Sequence, residues 1–130
     1  MRIALLVVAA LALVAFVTIS YVLPQREQAQ ARSAAQALIS GAEAAKQQVA
    51  AAAQKSGSLA GAGKGVKIAP RNDPEHGDMK WVVAEDGAIR GWNGINALEV
   101  AITPALQAAS VSWTCKGYPV SAMPGSCGGR

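Results

Sequence analysis

The sequence predicts an α+β fold in which a long N-terminal helix lies against one face of a four-stranded antiparallel sheet. Three observations predict it. Residues 3–23 form an uncharged apolar run, residues 25–55 repeat apolar positions at helical spacing, and the stretches after residue 80 alternate apolar with polar side chains. If the apolar run sits in lipid, about a hundred residues remain, enough for one small domain and too few for a large enzyme. The recurrence of Val, Ile, Leu and Trp in short periodic runs argues against disorder.

The run over residues 3–23 would make a helix about 31 Å long at about 1.5 Å per residue, the thickness of a hydrocarbon core. Its hydroxyl groups, on Thr18, Ser20 and Tyr21, lie near one end. A cleaved signal peptide is the alternative, because Arg2 gives a basic start and Ala29-Gln30-Ala31 has the small-x-small form of a cleavage site. The run is longer than a secretory apolar region, and polar residues from Gln25 separate it from that site, so a retained anchor is the expectation. Arg2 on one side faces Arg26 and Arg32 on the other, so charge does not orient the span.

Residues 25–55 are rich in Ala and Gln, with no proline and one glycine, Gly41, so the helix is expected to continue out of the membrane. Ala31, Ala35, Leu38, Ala42, Ala45, Val49 and Ala52 fall on one face. That face needs cover, from the chain's own sheet or from a neighbouring subunit. Pro24 stands where the lipid run ends, as a bend or a boundary. Gly57, Gly61, Gly63 and Gly65 then end the helix. Residues 57–79 are expected to be an irregular connection, with room for one short strand at residues 66–69. A phosphate-loop reading around Lys64 fails, because Ser58 stands at the first required glycine and Gly65 at the required hydroxyl.

Residues 80–85 and 88–92 flank Asp86-Gly87, a two-residue hairpin signal. In residues 98–103, Leu98, Val100 and Ile102 share one face; in residues 111–115, Val111, Trp113 and Cys115 do so. Four strands result, and the alanine-rich helix is their natural cover. Cys115 and Cys127 form an even pair whose bridge would close a loop of about a dozen residues and stabilise the domain by about 3 kcal/mol; two buried thiols are the alternative. A bridge fits an oxidising compartment, which places the amino terminus in the cytoplasm and the domain outside it. The chain divides into a transmembrane half-helix (1–23), an exposed amphipathic half (24–56), a connecting loop (57–79), and the sheet with its disulfide-closed loop (80–130).

No catalytic constellation appears. His76 is the single histidine, and the cysteines lack the spacing of a redox or zinc motif, so neither an enzyme nor a cofactor or metal is expected. Asp73, Glu75, His76 and Asp78 read as a solvated turn, since they lack the ligand spacing of a calcium loop. Trp81 and Trp113 are expected in the core, whereas Trp92 suits core or base stacking equally. The formal charge of +4 argues weakly for an anionic partner. If nucleic acid binds, Lys64, Lys67, Arg71, Lys80, Arg90 and Lys116 are the candidate phosphate contacts, and the binding should be weak.

These features together resemble the type IVa pilins. Pro24 followed seven residues later by Ala31-Arg32-Ser33 is similar to the family's proline and its Ala-Arg-Ser at the same interval. The segments Val111-Ser112-Trp113-Thr114-Cys115 and Met123-Pro124-Gly125-Ser126-Cys127 resemble the family's strand ending in Trp-x-Cys and its closing Leu-Pro-x-x-Cys. Gly87-Ala88-Ile89 and residues 98–104 fit the strands between, and the likeness is weakest over residues 57–79. The resemblance implies a single-pass protein of the bacterial inner membrane with a periplasmic domain. Its partners would be other pilin subunits and the pilus assembly machinery, and its role adhesion, motility or uptake, in a filament or retained in the membrane. Counting back from Pro24 sets the family's mature start at Ile3, preceded by Arg2 where the family has the glycine of its leader, so no processing to a methylated Ile3 is expected. Where the family carries an assembly glutamate, this chain has Val7. A subunit that associates laterally with other pilins without polymerising alone is what the resemblance then implies.

Overall fold

A computed structural model describes residues 2–108 and 110–129, and of residues 21–25 the backbone alone. The apolar run forms α1 (Arg2–Val17), continues through a π-helical turn at Thr18–Val22, and passes into α2 (Leu23–Ser40) and α3 (Glu43–Ser56). No residue of α1 is buried. The wide π turn stands just before Pro24, which has no N–H to give to the carbonyl four residues back and so breaks the regular ladder there. The side chain of Pro24 lies outside the described residues.

The single helix expected over residues 25–55 is instead divided at Gly41. Ala42 N–H donates to the Ile39 carbonyl at 3.1 Å, one residue short of its helical partner, Leu38. The Leu38 carbonyl accepts the buried indole N–H of Trp81 at 2.8 Å, and a Cβ on Gly41 would overlap the Trp81 ring. A side chain from the sheet therefore sets the break. α3 ends at Gly57, whose φ of 73° is the left-handed conformation glycine adopts freely, with its N–H on the Ala53 carbonyl.

The sheet has five antiparallel strands in the order β1-β2-β3-β4-β5, where four were expected. They are β1 (Arg71–Asp73), β2 (Gly77–Val83), β3 (Ile89–Asn93), β4 (Leu98–Gln107) and β5 (Ser110–Tyr118). The added strand, β1, lies inside the segment read as an irregular connection and pairs Arg71 with Met79. Residues 66–69 form no strand. Val66 and Ile68 pack against the core, and Gly63 N–H donates to the Glu85 carbonyl at 2.9 Å, so the connection is tied down without joining the sheet. Between β2 and β3 lie residues 84–88, and the turn that Ala84 and Ala88 close has three residues rather than two. Gly87 N–H returns to the Ala84 carbonyl, Ala84 N–H pairs with the Ala88 carbonyl, and Gly87 alone takes positive φ, at 92°.

The helical stripe packs on the chain's own sheet. Ala34, Ala35, Leu38, Ala42, Ala45, Val49 and Ala53 are buried, with Ala31 and Ala52 partly so. Ala34, Ala35, Leu38, Ala42 and Ala45 meet Met79 and Trp81 of β2, Ile89 of β3, and Leu98, Val100 and Ile102 of β4, whereas Val49 and Ala53 form a second cluster with Ala62, against which Val83, Leu106, Val111 and Trp113 pack. Trp81 is core, as its strand position predicts, and Trp113 is half-buried beneath Lys46, whose ammonium lies 5.6 Å from the ring centroid. Pro104 sits in β4 beyond the last β3 pair, Ile89 with Ile102, where only β5 is alongside, so its missing N–H costs little. Cys115 and Cys127 are joined, and the closed loop folds Ala122, Met123 and Cys127 into the core.

The contacts between helix and sheet follow one order from end to end. Glu27 and Ala31 face Ile95 and Pro119, Leu38 meets Trp81, and Val49 meets Gly87. The β1–β2 turn, the β3–β4 turn and residues 119–122 therefore form the rim of the domain beside α1, and the β2–β3 and β4–β5 turns lie at the far end.

Candidate functional site

Two surfaces carry the residues singled out from the sequence. The first is the N-terminal apolar helix. Residues Arg2–Ser20 are long and apolar enough to cross a bilayer, and every described side chain among them is exposed. Val7 lies well inside this stretch with its side chain exposed. Thr18 Oγ donates to the Val14 carbonyl at 2.8 Å, so its hydroxyl is satisfied within the helix as lipid requires.

The second surface is the sheet face turned away from the helix. Cross-strand register sets Lys80, Trp92, Glu99 and Tyr118 in one row, and Val82, Arg90, Ala101 and Lys116 in the next. Three of the six candidate phosphate contacts, Lys80, Arg90 and Lys116, thus share a face with two aromatic residues. Arg90 is already engaged, since it bonds Glu99 and lies 5.6 Å over the Trp92 ring. Ala101, between Arg90 and Lys116, floors two shallow depressions of about 310 and 230 Å³ along β4 and β5.

The other three cations are elsewhere. Arg71 pairs opposite buried Met79, on the helix side of the sheet, and its guanidinium lies 5.7 Å over Trp81. Lys64 and Lys67 line a hollow of about 380 Å³ between the glycine-rich connection and the β2 edge. No single basic groove unites the six.

The polar cluster of residues 73–78 builds a turn. Asp73 Oδ1 accepts the backbone N–H groups of Glu75 at 2.8 Å and His76 at 3.0 Å. The Glu75 amide foremost, then His76 and Arg71, hold the Asp73 carboxyl below its ordinary value of 3.8. His76 Nε2 lies 3.4 Å from Ser33 Oγ on α2. Among the described residues no three or more of His, Cys, Asp and Glu gather as a metal site would need.

Sequence reasoning missed Asn93. It is buried, and its side-chain N–H₂ donates to the carbonyls of His76 at 2.7 Å and Asp78 at 2.8 Å. Its Oδ1 accepts both the backbone and side-chain N–H of Asn96. One amide thereby joins the β1–β2 turn to the β3–β4 turn across the rim. A buried Asn at a core-facing strand position is the signal that could have found it.

Comparison of the chain with protein-family models, with curated proteins and with solved structures finds no match.

Proposed function

We propose that the chain is a pilin-like structural protein of a type IV pilus or related system, held in a bacterial inner membrane by α1 and acting through contacts with other pilin subunits and the assembly machinery. One observation carries the reading. A helix whose first half buries nothing passes directly into a second half whose alanine stripe is buried on an antiparallel sheet closed by a disulfide loop. Such a helix presents its apolar half to lipid or to the like helices of neighbours, while the domain keeps its own core. The disulfide supports placing the domain in the periplasm, because such bonds persist in oxidising compartments.

Val7 defines the mode of association. An apolar residue there leaves no carboxylate to be paired in a helix bundle, so α1 rests in lipid or against another apolar helix without a charge-matched register. The test is to express the chain with an assembly machinery and a filament-forming pilin, then separate sheared filaments from membranes. Recovery in the membrane fraction with chemical cross-links to the pilin supports the proposal, and Val7→Glu combined with Arg2→Gly should raise the share in filaments. Absence from both fractions would refute it.

A second reading, weak nucleic-acid binding, is favoured by the shared face of Lys80, Lys116, Trp92 and Tyr118. Binding by the full chain in detergent should fall with salt, and charge reversal at Lys80 and Lys116 should weaken all sequences alike. Submicromolar affinity would promote this reading above the first.

A further inference from the structure

Outside the anchor, the exposed large apolar residues among those described are Val82, Ile95, Tyr118 and Val120. Three of the four lie at one end of the domain. Ile95, 74% exposed, tips the β3–β4 turn; Tyr118, 72% exposed, ends β5; Val120, 49% exposed, follows it. That end is the rim beside α1.

We infer that this rim rests on the bilayer, with Ile95, Tyr118 and Val120 entering the lipid interface. The inference rests on α1 being a membrane anchor, and it adds a second lipid contact that fixes how the domain sits. The heights agree. Glu27 and Ala31, which face Ile95 and Pro119 across a gap of about 610 Å³, stand four and eight residues beyond Leu23. At about 1.5 Å per residue they are about 6 and 12 Å above the end of the apolar run. The polar layer on each side of the hydrocarbon is about 5 to 8 Å deep. An ordinary helix tilt of about 20° toward a rim about 10 Å off the helix axis lowers that rim by about 3 Å, which brings the tip of Ile95 among the headgroups.

The chemistry of the rim selects the apolar part of the interface. Arg26, Arg32, Arg71 and Lys80 are outnumbered there by Glu27, Asp73, Glu75, Asp78 and Glu99, so no cationic surplus draws anionic lipid. Tyrosine with a branched aliphatic pair is the composition that partitions to the headgroup–acyl boundary, with the phenol left among polar groups. The rim is also built to stay in place. Asn93 joins the two turns, and Arg32 Nε donates to the Ser121 carbonyl at 3.3 Å, tying residues 119–122 to the helix that leaves the membrane.

The test uses the full chain in phosphatidylcholine liposomes, with the variants Ile95→Trp and Val120→Trp and, at the exposed far-end loop, Ala60→Trp. Flotation that survives alkaline carbonate reports the anchor, and circular dichroism reports the fold of each variant. In lipid brominated near the glycerol end of the acyl chains, the emission added by Ile95→Trp or Val120→Trp should fall at least about twofold, at low and high salt alike. That added by Ala60→Trp should not change. Failure to float would remove the anchor and this inference with it. Flotation with all three variants equally unquenched would overturn the lipid contact alone, as would protection of Ile95→Trp that grows with protein concentration in unbrominated lipid, the mark of a second copy covering the rim.

Discussion

Trp81 donates its indole N–H to the Leu38 carbonyl at 2.8 Å, at the point where the long helix is interrupted. The interruption and the bond need each other. A regular helix would use the Leu38 carbonyl for Ala42 N–H, and a side chain on Gly41 would close the space the indole fills. Above the ring lies the Arg71 guanidinium and beside it Gly91, so one tryptophan binds α2 to β1, β2 and β3.

Gly41→Ala should destabilise the full chain in detergent by about 1–2 kcal/mol, because overlap with the ring outweighs the gain in helix propensity of about 1 kcal/mol. In a Trp81→Leu background, where the space is open, the same change should become favourable. Urea unfolding of the four proteins followed by circular dichroism checks the reversal of sign.

Asn93→Ala should cost about 2–3 kcal/mol, since it leaves the buried carbonyls of His76 and Asp78 without their donor. Asn93→Asp should cost more at neutral pH, because a carboxylate would face those two carbonyls with no proton to give. A smaller loss for aspartate than for alanine in the same unfolding assay would contradict the role assigned to this amide.

Removing the Cys115–Cys127 bond, whose partners are 12 residues apart, should cost about 3 kcal/mol in the loop-entropy account. The paired variant Cys115→Ser, Cys127→Ser and the reduced wild type should unfold at matching urea concentrations. Thiol titration of the unreduced, unfolded chain should find no free thiol.

Asp73 has its folded pKa lowered, so the stability it lends the β1–β2 turn is complete above its ordinary value of 3.8 and is lost as pH falls through the lower folded value. Amide resonances of Glu75 and His76 should therefore shift with a midpoint below 3.8. In Asp73→Asn, which keeps the acceptor oxygen but does not titrate, that shift should disappear.

The alternation of Leu98, Val100 and Ile102 and the helical spacing from Ala35 to Val49 were legible in the sequence because burial on one face imposes a period. β1 was not legible. Arg71, Asn72 and Asp73 show no alternation, and they pair because the Asp73 turn and the Asn93 amide hold them to the start of β2. The break at Gly41 was hidden for a similar reason, since its cause, Trp81, lies forty residues away. Of the six basic residues, strand parity could have grouped Lys80, Arg90 and Lys116 once the register was known, but nothing local placed Arg71 on the opposite face. Ile95, at the tip of a turn, reads in sequence as an isolated apolar residue and gains meaning only from lying beside the emerging helix.

In the proposed function α1 sits in a membrane and meets pilin subunits there. A photoreactive amino acid placed at Val7, in cells that make the full chain and a filament-forming pilin, tests it most directly. Ultraviolet light should join this chain to the pilin in the membrane fraction, through a site on the pilin's own apolar helix. Recovery of the chain in the soluble fraction, or in membranes with no pilin adduct from Val7, would contradict the account.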